Sequence, residues 1–304
     1  MSHYCSTSLN FLELDYHPMK DREPTLRSHV LGAGLRRAME HAGYNGTQMA
    51  DELGWSQGRV SRLLAGKRGG SGIDVSAFLA VCGVKGAERE RLLGLSGEYT
   101  QPSWFIQHGA AVPKEIRTLI DLEARATALC EFQTSLVPGL LQTPEYARVV
   151  LCQSATVPDE EIEDRVQARL ERQELLSRRR AQICTFFLHE HAMCLPVSGS
   201  TVMSDQLHHL LRLSVRPNVT IRVVPKEVGA HAGMAGPFTV MIIRDFKPMV
   251  YLENETSSLF LETPVEIQAY RSIVAALNET ALDKRHSRDL IGSTAQRFSA
   301  EAVA

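Results

Sequence analysis

Apolar and polar residues follow a helical spacing in two short segments near the beginning of the chain. Between residues 45 and 64 the pattern predicts two helices separated by a turn at Gly54. Asn45 precedes the first helix and Ser56 the second, and both are residue types that cap helix N-termini. Gln48, three positions after Asn45, completes a capping box. The segment is therefore predicted to be a helix-turn-helix unit.

The second of these helices has two chemically different faces. Val60, Leu63 and Leu64 fall on one face, which we expect to turn toward a core. The remaining positions carry polar or small residues: Gln57, Gly58, Arg59, Ser61 and Arg62. Amides and guanidiniums near the start of a short helix are suited to pair with base edges in the major groove. The pattern indicates a recognition helix for double-stranded DNA.

The distribution of charge favours a DNA-binding unit over an ordinary pair of helices with a polar outer surface. From Arg27 to Arg68, seven basic side chains stand against three acidic ones, whereas the whole chain has a net charge of -2. The excess of positive charge is therefore local, as a surface that faces phosphates requires. Lys67 and Arg68 directly follow the second helix and add to it.

The length of the chain, 304 residues, exceeds what a small helical head uses, so a second domain with its own core is expected. The polar segment SGEYTQPS marks the linker. The predicted divisions are an N-terminal arm over 1–25, an all-α head of five helices over 26–95, a linker over 96–103, and a mixed α/β domain with a frayed tail over 104–304.

In the C-terminal part, helical periodicity alternates with short segments rich in β-branched and aromatic residues. Helices are predicted over 113–127, 144–152, 158–180, 202–213, 264–277 and 283–298. Strands are predicted over 183–188, 220–224, 238–243 and 249–253. An α/β layer arrangement follows from this order.

Several classes of protein are disfavoured by composition and motifs. No apolar segment has the length of a bilayer and the beginning of the chain has no signal pattern, so a cytoplasmic protein is expected. The six cysteines, Cys5, Cys82, Cys130, Cys152, Cys184 and Cys194, lack zinc-ligand spacing and are expected to be reduced and mostly buried. No nucleotide-binding loop or nucleophile elbow is found, so we expect no cofactor and no enzymatic activity.

Two features of the C-terminal domain are candidates for a metal site or an effector-binding site. His189, Glu190 and His191 are expected on a strand, where the carboxylate points away from both imidazoles, so no metal site is predicted. The glycine-rich loop over 228–237 is the better candidate for effector binding, unless it is only a mobile connection between strands. The predicted effector-binding residues are Glu190, His231, Met234, Phe238 and Glu253.

Residues 32–84 resemble the Xre/Cro/phage-repressor class of helix-turn-helix domains, with SQGRVSRLLAGKR as the recognition helix and its exit. The resemblance implies that Gln57, Gly58 and Arg62 meet bases, and that Asn45 and Lys67 lie near phosphates. Three departures stand out: Gly46 and Gly58 lack the side chains usual at their positions, and Leu64 replaces a polar residue. Base contacts would then depend on Gln57, Arg59 and Arg62, with Ser56, Ser61 and Arg68 beside them.

The C-terminal part is similar to that of a large actinobacterial group of Xre-type regulators typified by WhiJ. The strings VPGLLQTPEYAR, FFLHEHAM, NVTIRVVP and ALDKRHS carry the likeness. Regulators of that group act in development and antibiotic control, and their genes often neighbour one for a small acidic protein. The resemblance therefore implies a small acidic protein partner or a small-molecule effector.

The leading hypothesis is a homodimeric, sequence-specific transcription regulator whose C-terminal domain binds an effector or a partner. Two alternatives stay open: a DNA-binding head that carries an uncharacterised enzyme, and an antitoxin-like protein that captures a small partner.

Overall fold

The structure is a computed structural model that describes residues 25–67, 70–96, 104–107, 119–120, 122–177, 182–197, 199–243, 246–255 and 257–303. Most of the predicted arm over 1–25, namely residues 1–24, and most of the predicted linker over 96–103, namely residues 97–103, lie outside the described residues. Residue contacts divide the chain into two compact units: of the described residues, those up to Trp104 together with 246–247 form the N-terminal unit, and the others from Phe105 onward form the C-terminal unit.

The N-terminal unit is all-α, as predicted, and its described part contains five helices. They are α1 (Leu26–His41), α2 (Gly46–Leu53), α3 (Gln57–Leu64), α4 (Gly72–Val81) and α5 (Gly86–Gly94). The predicted capping box is confirmed, since the Asn45 side chain accepts from the backbone N–H of Gln48, whose own side chain accepts from Asn45 N. Gly54 ends α2 with a φ of 63°, a left-handed conformation that favours glycine.

The apolar face of α3 is buried, as predicted. Val60, Leu63 and Leu64 are each less than one-tenth exposed. Helix α1 crosses the end of α3 at Gly32, where a Cβ atom would lie only 2.5 Å from the Leu64 carbonyl oxygen. The absence of a side chain at Gly32 therefore sets how closely the two helices approach.

The C-terminal unit is built around a mixed sheet of seven described strands. They are β1 (Trp104–Gln107), β2 (Ala126–Gln133), β3 (Ile183–His189), β4 (Val219–Val224), β5 (Phe238–Ile243), β6 (Met249–Asn254) and β7 (Ser257–Leu261). The strand order is β1-β7-β6-β5-β2-β3-β4. Strands β2, β3 and β4 are parallel neighbours, whereas β5, β6 and β7 are joined to β2 by antiparallel pairs.

Six helices of the described C-terminal unit complete the mixed α/β domain. They are α6 (Pro144–Cys152), α7 (Ile162–Gln173), α8 (Glu190–Cys194), α9 (Ser200–Ser214), α10 (Pro264–Thr280) and α11 (Lys284–Val303). Short 3-10 turns lie at Gly139–Leu141, Asp159–Glu161, Glu174–Ser177 and Lys226–Val228. The predicted α/β order is thus confirmed.

Three described strands, β1, β2 and β7, were missed by the sequence pattern, and one predicted helix is too long. The helix predicted to reach Thr127 gives way at Ala126 to β2, which lies at the centre of the sheet. Strand β7 was not predicted. Nearly every residue of β2 is buried, on both faces, so the alternation that reveals a half-exposed strand is absent.

The two faces of β2 have different neighbours. Ala128, Cys130 and Phe132 join the main core, which also contains Ile267 and Val274 of α10. The intervening residues of β2 point to the opposite face of the sheet, because side chains alternate along a strand. That opposite face contains the cavity described below.

The described cysteines are less buried than the sequence predicts. All five described cysteines are free thiols, but only Cys130 and Cys184 are buried, whereas Cys152 is exposed. The prediction of mostly buried thiols is therefore wrong. Among the described residues, no helix is long and apolar enough to cross a membrane.

Candidate DNA-binding surface and ligand cavity

The recognition helix α3 presents its polar side to solvent, in the way that its sequence predicts. Gln57, Ser61 and Arg62 are exposed. Ser56 begins the helix by accepting from the backbone N–H of Arg59 at 3.2 Å. The Gln57 side chain donates to Thr47 Oγ1 at 2.8 Å, which links the start of α3 to α2.

The two arginines of α3 have different surroundings. Arg59 donates to Asp74 Oδ1 at 2.8 Å and lies over the Trp55 ring at 4.3 Å, so its guanidinium is already held within the head. Arg62 is exposed, and its guanidinium lies beside Gly58, where a Cβ atom would come within 3.2 Å of Nη1. Gly58 thus leaves room for the Arg62 side chain along the outer face of α3.

The side chains predicted near phosphates lie around the ends of the two helices. Asn45 is exposed, but its side-chain oxygen is used by the N-cap of α2. Lys67 is exposed just after α3, whereas Arg68 lies outside the described residues. The exposed backbone N–H groups and positive end of each short helix add to the attraction for phosphate.

The C-terminal unit contains a cavity of about 930 Å³ on the face of the sheet opposite α10. Its floor is a row of polar side chains across three strands, since Glu131 of β2 is in register with Thr239 of β5, which is in register with Tyr251 of β6. Further along β6, Glu253 lies opposite Ser258 of β7 and is exposed at the rim of the cavity. A volume of this size can take a small organic molecule.

Helix α7 forms a basic wall of this cavity. Arg165, Arg169 and Arg172 all line it, because their spacing of four and three places them on one face of the helix. Arg172 donates two hydrogen bonds to the buried Glu123 carboxylate, at 2.8 and 2.7 Å. Burial is the largest single effect and opposes the charge of Arg172, but the attraction and hydrogen bonds of Glu123, together with the charges of Glu253 and Glu131, outweigh it, so the pKa of Arg172 is raised.

The central arginine has a neutral partner. Arg169 Nη1 donates to Gln142 Oε1 at 2.7 Å. Burial, together with the neighbouring charges of Arg172 and Arg165 and against the attraction of Glu253, lowers the pKa of Arg169 to about 10. The guanidinium remains protonated at neutral pH, and its remaining N–H groups are not among the buried atoms without a partner.

Gln142 is positioned by the segment over 137–148, VPGLLQTPEYAR. Its side-chain nitrogen donates to Val137 O at 2.8 Å, and Val137 N donates to the Tyr146 hydroxyl. The buried Gln206 of α9 holds the next residues, because it accepts from Thr143 N and donates to Leu141 O, both at 2.7 Å. The segment is thus a rigid edge of the cavity that fixes the acceptor of Arg169.

Glu131 is the most strongly perturbed carboxyl of the floor. Burial raises its pKa from 4.5 to about 7, a hydrogen bond from Gln133 opposes the rise, and the charges of Glu123 and Glu253 add to it. The carboxyl is therefore partly protonated near neutral pH, and it can donate as well as accept a hydrogen bond.

Only two of the five residues predicted to bind an effector lie at the cavity. Phe238 and Glu253 line the cavity, whereas Glu190, His231 and Met234 are outside its lining. Glu190 instead accepts from Lys226 N and Lys226 Nζ, at 3.0 and 3.1 Å. Met234 is about two-thirds exposed.

The glycine-rich loop has a packing role at one position. Gly233 lies against the Phe132 ring so closely that a Cβ atom would overlap it. His231 accepts from Gly233 N at 3.1 Å, stacks on His189 with ring centroids 5.4 Å apart, and meets the Phe132 edge. At this glycine the close approach of the backbone is to an aromatic ring of the core.

The HEH triplet is not a continuous strand. Strand β3 ends at His189, which caps α8 by accepting from His191 N at 3.1 Å, and Glu190 is the first residue of that helix. The expectation that all three lie on a strand is therefore wrong. In the part of the chain that the structure describes, no three histidine, cysteine or acidic residues form a group suited to a metal ion.

The arginines of α7 and the carboxylates Glu123 and Glu131 were missed as site residues by the sequence analysis. A usable signal was present, since three arginines share one face of a predicted amphipathic helix. Nothing in the sequence showed that this face lies opposite Glu131 and Glu253, because those residues come from separate strands.

Comparison with known families agrees with this division of the chain. Residues 30–92 match a family described as a helix-turn-helix domain. Residues 116–293, more than half of the chain, match the family described as a domain of unknown function, DUF5753. The chain belongs to the DUF5753 family. No curated protein and no solved structure matches it.

The two matches each contain one of the candidate sites. The recognition helix lies within the helix-turn-helix match, which supports a DNA-binding regulator. All residues that line the cavity lie within the DUF5753 match. The cavity is therefore a feature of the DUF5753 domain alone.

Proposed function

We propose that this chain is a sequence-specific transcription regulator of the actinobacterial Xre type, with a WhiJ-like C-terminal domain. The exposed polar face of α3 within a helix-turn-helix match carries the proposal. In it, Arg62 and Gln57 read base edges in the major groove, with Ser61 beside them. Lys67 contacts the phosphate backbone, which contributes affinity without sequence preference.

Arg62 is the main base-reading residue in this proposal. Arg59 is engaged by Asp74 and Trp55, so it reaches DNA only if these contacts are exchanged. Arg62 has no comparable carboxylate partner among the described residues, and its fork of N–H groups is suited to the two acceptors of a guanine edge.

The test begins with selection of binding sites from random double-stranded DNA by the full chain. Arg62→Ala should weaken binding to the selected site by about 1–3 kcal/mol and relax the preference at one base pair, because a bidentate contact is lost. The exposed Lys85, which makes no side-chain cap contact at the start of α5, supplies the control. Lys85→Ala removes the same charge and should leave the base preference unchanged. Unaltered site preference in Arg62→Ala would exclude this assignment.

We further propose that the chain works as a homodimer on an inverted repeat. One recognition helix reads only a few base pairs, so useful specificity requires two heads about 34 Å apart along the DNA. The positive charge of the head is best used on DNA, which assigns the dimer contact chiefly to the C-terminal domain.

For the DUF5753 domain we propose effector binding without catalysis. The cavity supports a small molecule in preference to a protein partner, because its charged groups lie inside a concave site. Two of its three arginines are held in ion pairs, an arrangement suited to a fixed binding surface. An effector would change DNA affinity only by the factor with which it distinguishes two conformations, and DNA would change effector affinity by the same factor.

A further inference from the structure

The charges inside the DUF5753 cavity are unevenly compensated. Arg172 is paired through two hydrogen bonds with Glu123, whose carboxylate is buried. Arg165 is paired with Glu161, one turn earlier on the helix wall, at 2.8 Å. Both pairs are neutral as a whole, so neither offers a net charge to a ligand.

Arg169 lies between these pairs and has no carboxylate partner within hydrogen-bond distance among the described residues. Its one acceptor there, Gln142, is neutral and is itself fixed by Val137. A half-buried guanidinium of this kind is costly unless an anion or water completes its hydrogen bonds. The position therefore favours a ligand that brings one negative charge.

The other carboxyl groups that line the cavity differ from one another in their exposure to solvent. Glu253 and Glu255 are exposed, and Glu255 accepts from Ser154 and Thr156 at the edge of the cavity. Charges in contact with water are screened and act weakly on the interior. Glu131, on the floor, is a carboxyl that burial disposes toward its neutral form. The interior thus contains one guanidinium, that of Arg169, without a hydrogen-bonded carboxylate among the described residues, and an acidic rim surrounds it.

Apolar side chains cover much of the rest of the cavity. They come from the turn before Gly139, from the end of α6 and the residues that follow it, and from the loop after α8. The apolar lining includes Leu136, Val137, Val150, Val157 and Val197. A ligand that fits this lining has an apolar body, since burial of such surface supplies most of the affinity of small ligands.

We propose that the cavity binds a small monocarboxylic acid with an apolar body, whose carboxylate is held by Arg169. A planar carboxylate accepts two parallel hydrogen bonds from a guanidinium. The regulatory role of this ligand rests on the proposed function, but its binding does not.

Other head groups fit these charges less well. A phosphate dianion would bring two negative charges to one uncompensated cation and would pass the acidic rim at Glu253 and Glu255. An ammonium group would be repelled by Arg169 and could gain only the exposed rim carboxylates. An uncharged amide would leave the guanidinium charge without a counterion.

The test compares head groups on a constant apolar body by isothermal titration calorimetry with the full chain. The probes are octanoate, octanamide, octylamine and octyl phosphate, together with dodecanoate, 4-phenylbutyrate and indole-3-butyrate as carboxylates with other bodies. At least one carboxylate should bind saturably with one site per chain. The amide, amine and phosphate of octanoate should each bind at least tenfold more weakly than octanoate, or not at all.

Three variants connect binding to the structure. Arg169→Met should weaken carboxylate binding by about tenfold or more, the loss expected for a charged hydrogen-bond partner. Arg148→Met is the matched control, since Arg148 is paired with Glu163 outside the cavity lining, and it should bind as the wild type does. Glu253→Gln alters only an exposed rim residue and should strengthen carboxylate binding, whether or not Arg169→Met folds.

The outcomes separate this inference from the proposed function. No binding by any carboxylate, or tighter binding of octylamine than of octanoate, would overturn the inference while DNA binding stands. Equal binding by wild type and a folded Arg169→Met would overturn it as well. Carboxylate binding by Arg169 without any change in DNA affinity upholds the inference and contradicts the effector role.

Discussion

At the scale of single residues, Gly32 controls the fit between the first helix of the head and the recognition helix. The nearest atoms to an added Cβ would be backbone atoms of Leu64 and Leu63, at 2.5 to 3.0 Å. Backbone atoms at the end of a packed helix cannot move aside cheaply, unlike the tip of a flexible side chain.

Gly32→Ala should therefore destabilise the head by about 1–3 kcal/mol, even though alanine favours helices more than glycine does. Gly94→Ala is the control, because nothing lies within 4 Å of an added Cβ there. Urea unfolding followed by circular dichroism measures both variants. If the two variants were equally stable, the contact at Gly32 would not limit how closely α1 and α3 approach each other.

Glu131 gives the DUF5753 domain a pH-dependent stability. Burial, together with Glu123 and Glu253 and against Gln133 and Arg172, raises its folded-state pKa from 4.5 to about 7. The folded state then binds more protons than the unfolded state between these values, so this group lowers stability as pH rises from about 4.5 to 7. The loss is on the order of 3 kcal/mol if the unfolded pKa keeps its ordinary value.

Glu131→Gln should remove this component, because the amide does not titrate. The free energy of unfolding of the variant, minus that of the wild type, should increase as pH rises from 5 to 8. Urea unfolding at each pH measures this difference. Glu163→Gln is the control, since Glu163 is an exposed carboxylate whose pKa is lowered by Arg148. Parallel pH profiles for wild type and Glu131→Gln would contradict the assignment.

At the scale of elements, helix ends are well defined by sequence. The N-cap of α10 is a capping box in which Thr263 Oγ1 accepts from Glu266 N at 3.1 Å and donates to Glu266 Oε2 at 2.7 Å. Pro264 occupies the first helical position, where a missing N–H costs no hydrogen bond.

Thr263→Ala should destabilise the C-terminal domain by about 1 kcal/mol, the usual effect of losing an N-cap oxygen. Thr263→Ser keeps that oxygen and should lose much less. The comparison requires only urea unfolding of the two variants and the wild type. If serine is no better than alanine, the capping interaction does not contribute to stability.

The elements also show why some predictions were right and others wrong. Helix α6 was predicted at its observed bounds, because Thr143 and Pro144 mark its start and the apolar spacing is helical. Strand β2 was missed because it is buried on both faces, and its first residues, Ala126 to Ala128, favour helices as much as strands. Periodicity reports on contact with water, so an element without such contact gives no periodic signal.

At the scale of the whole molecule, the proposed function requires two heads on the DNA. We predict that the full chain is a homodimer at micromolar concentration, and that one dimer binds an inverted repeat with half-sites about one or two helical turns apart. Sedimentation equilibrium measures the first part, and gel shifts on repeats of altered spacing measure the second. A monomer that binds a single half-site with full affinity would contradict this prediction.

The sequence by itself determined the recognition helix, its caps and the α/β order of the second domain. Caps and amphipathic faces depend on residues within a few positions of one another, so local spacing was sufficient. Tertiary structure alone decided the cavity. Glu131, Arg169 and Glu253 come from β2, α7 and β6, and only the parallel and antiparallel pairing around β2 brings these elements around one cavity. The side chains that face Arg169 across the cavity decide whether its positive charge is neutralised. Spacing along the sequence does not reveal these side chains, because only packing brings them together.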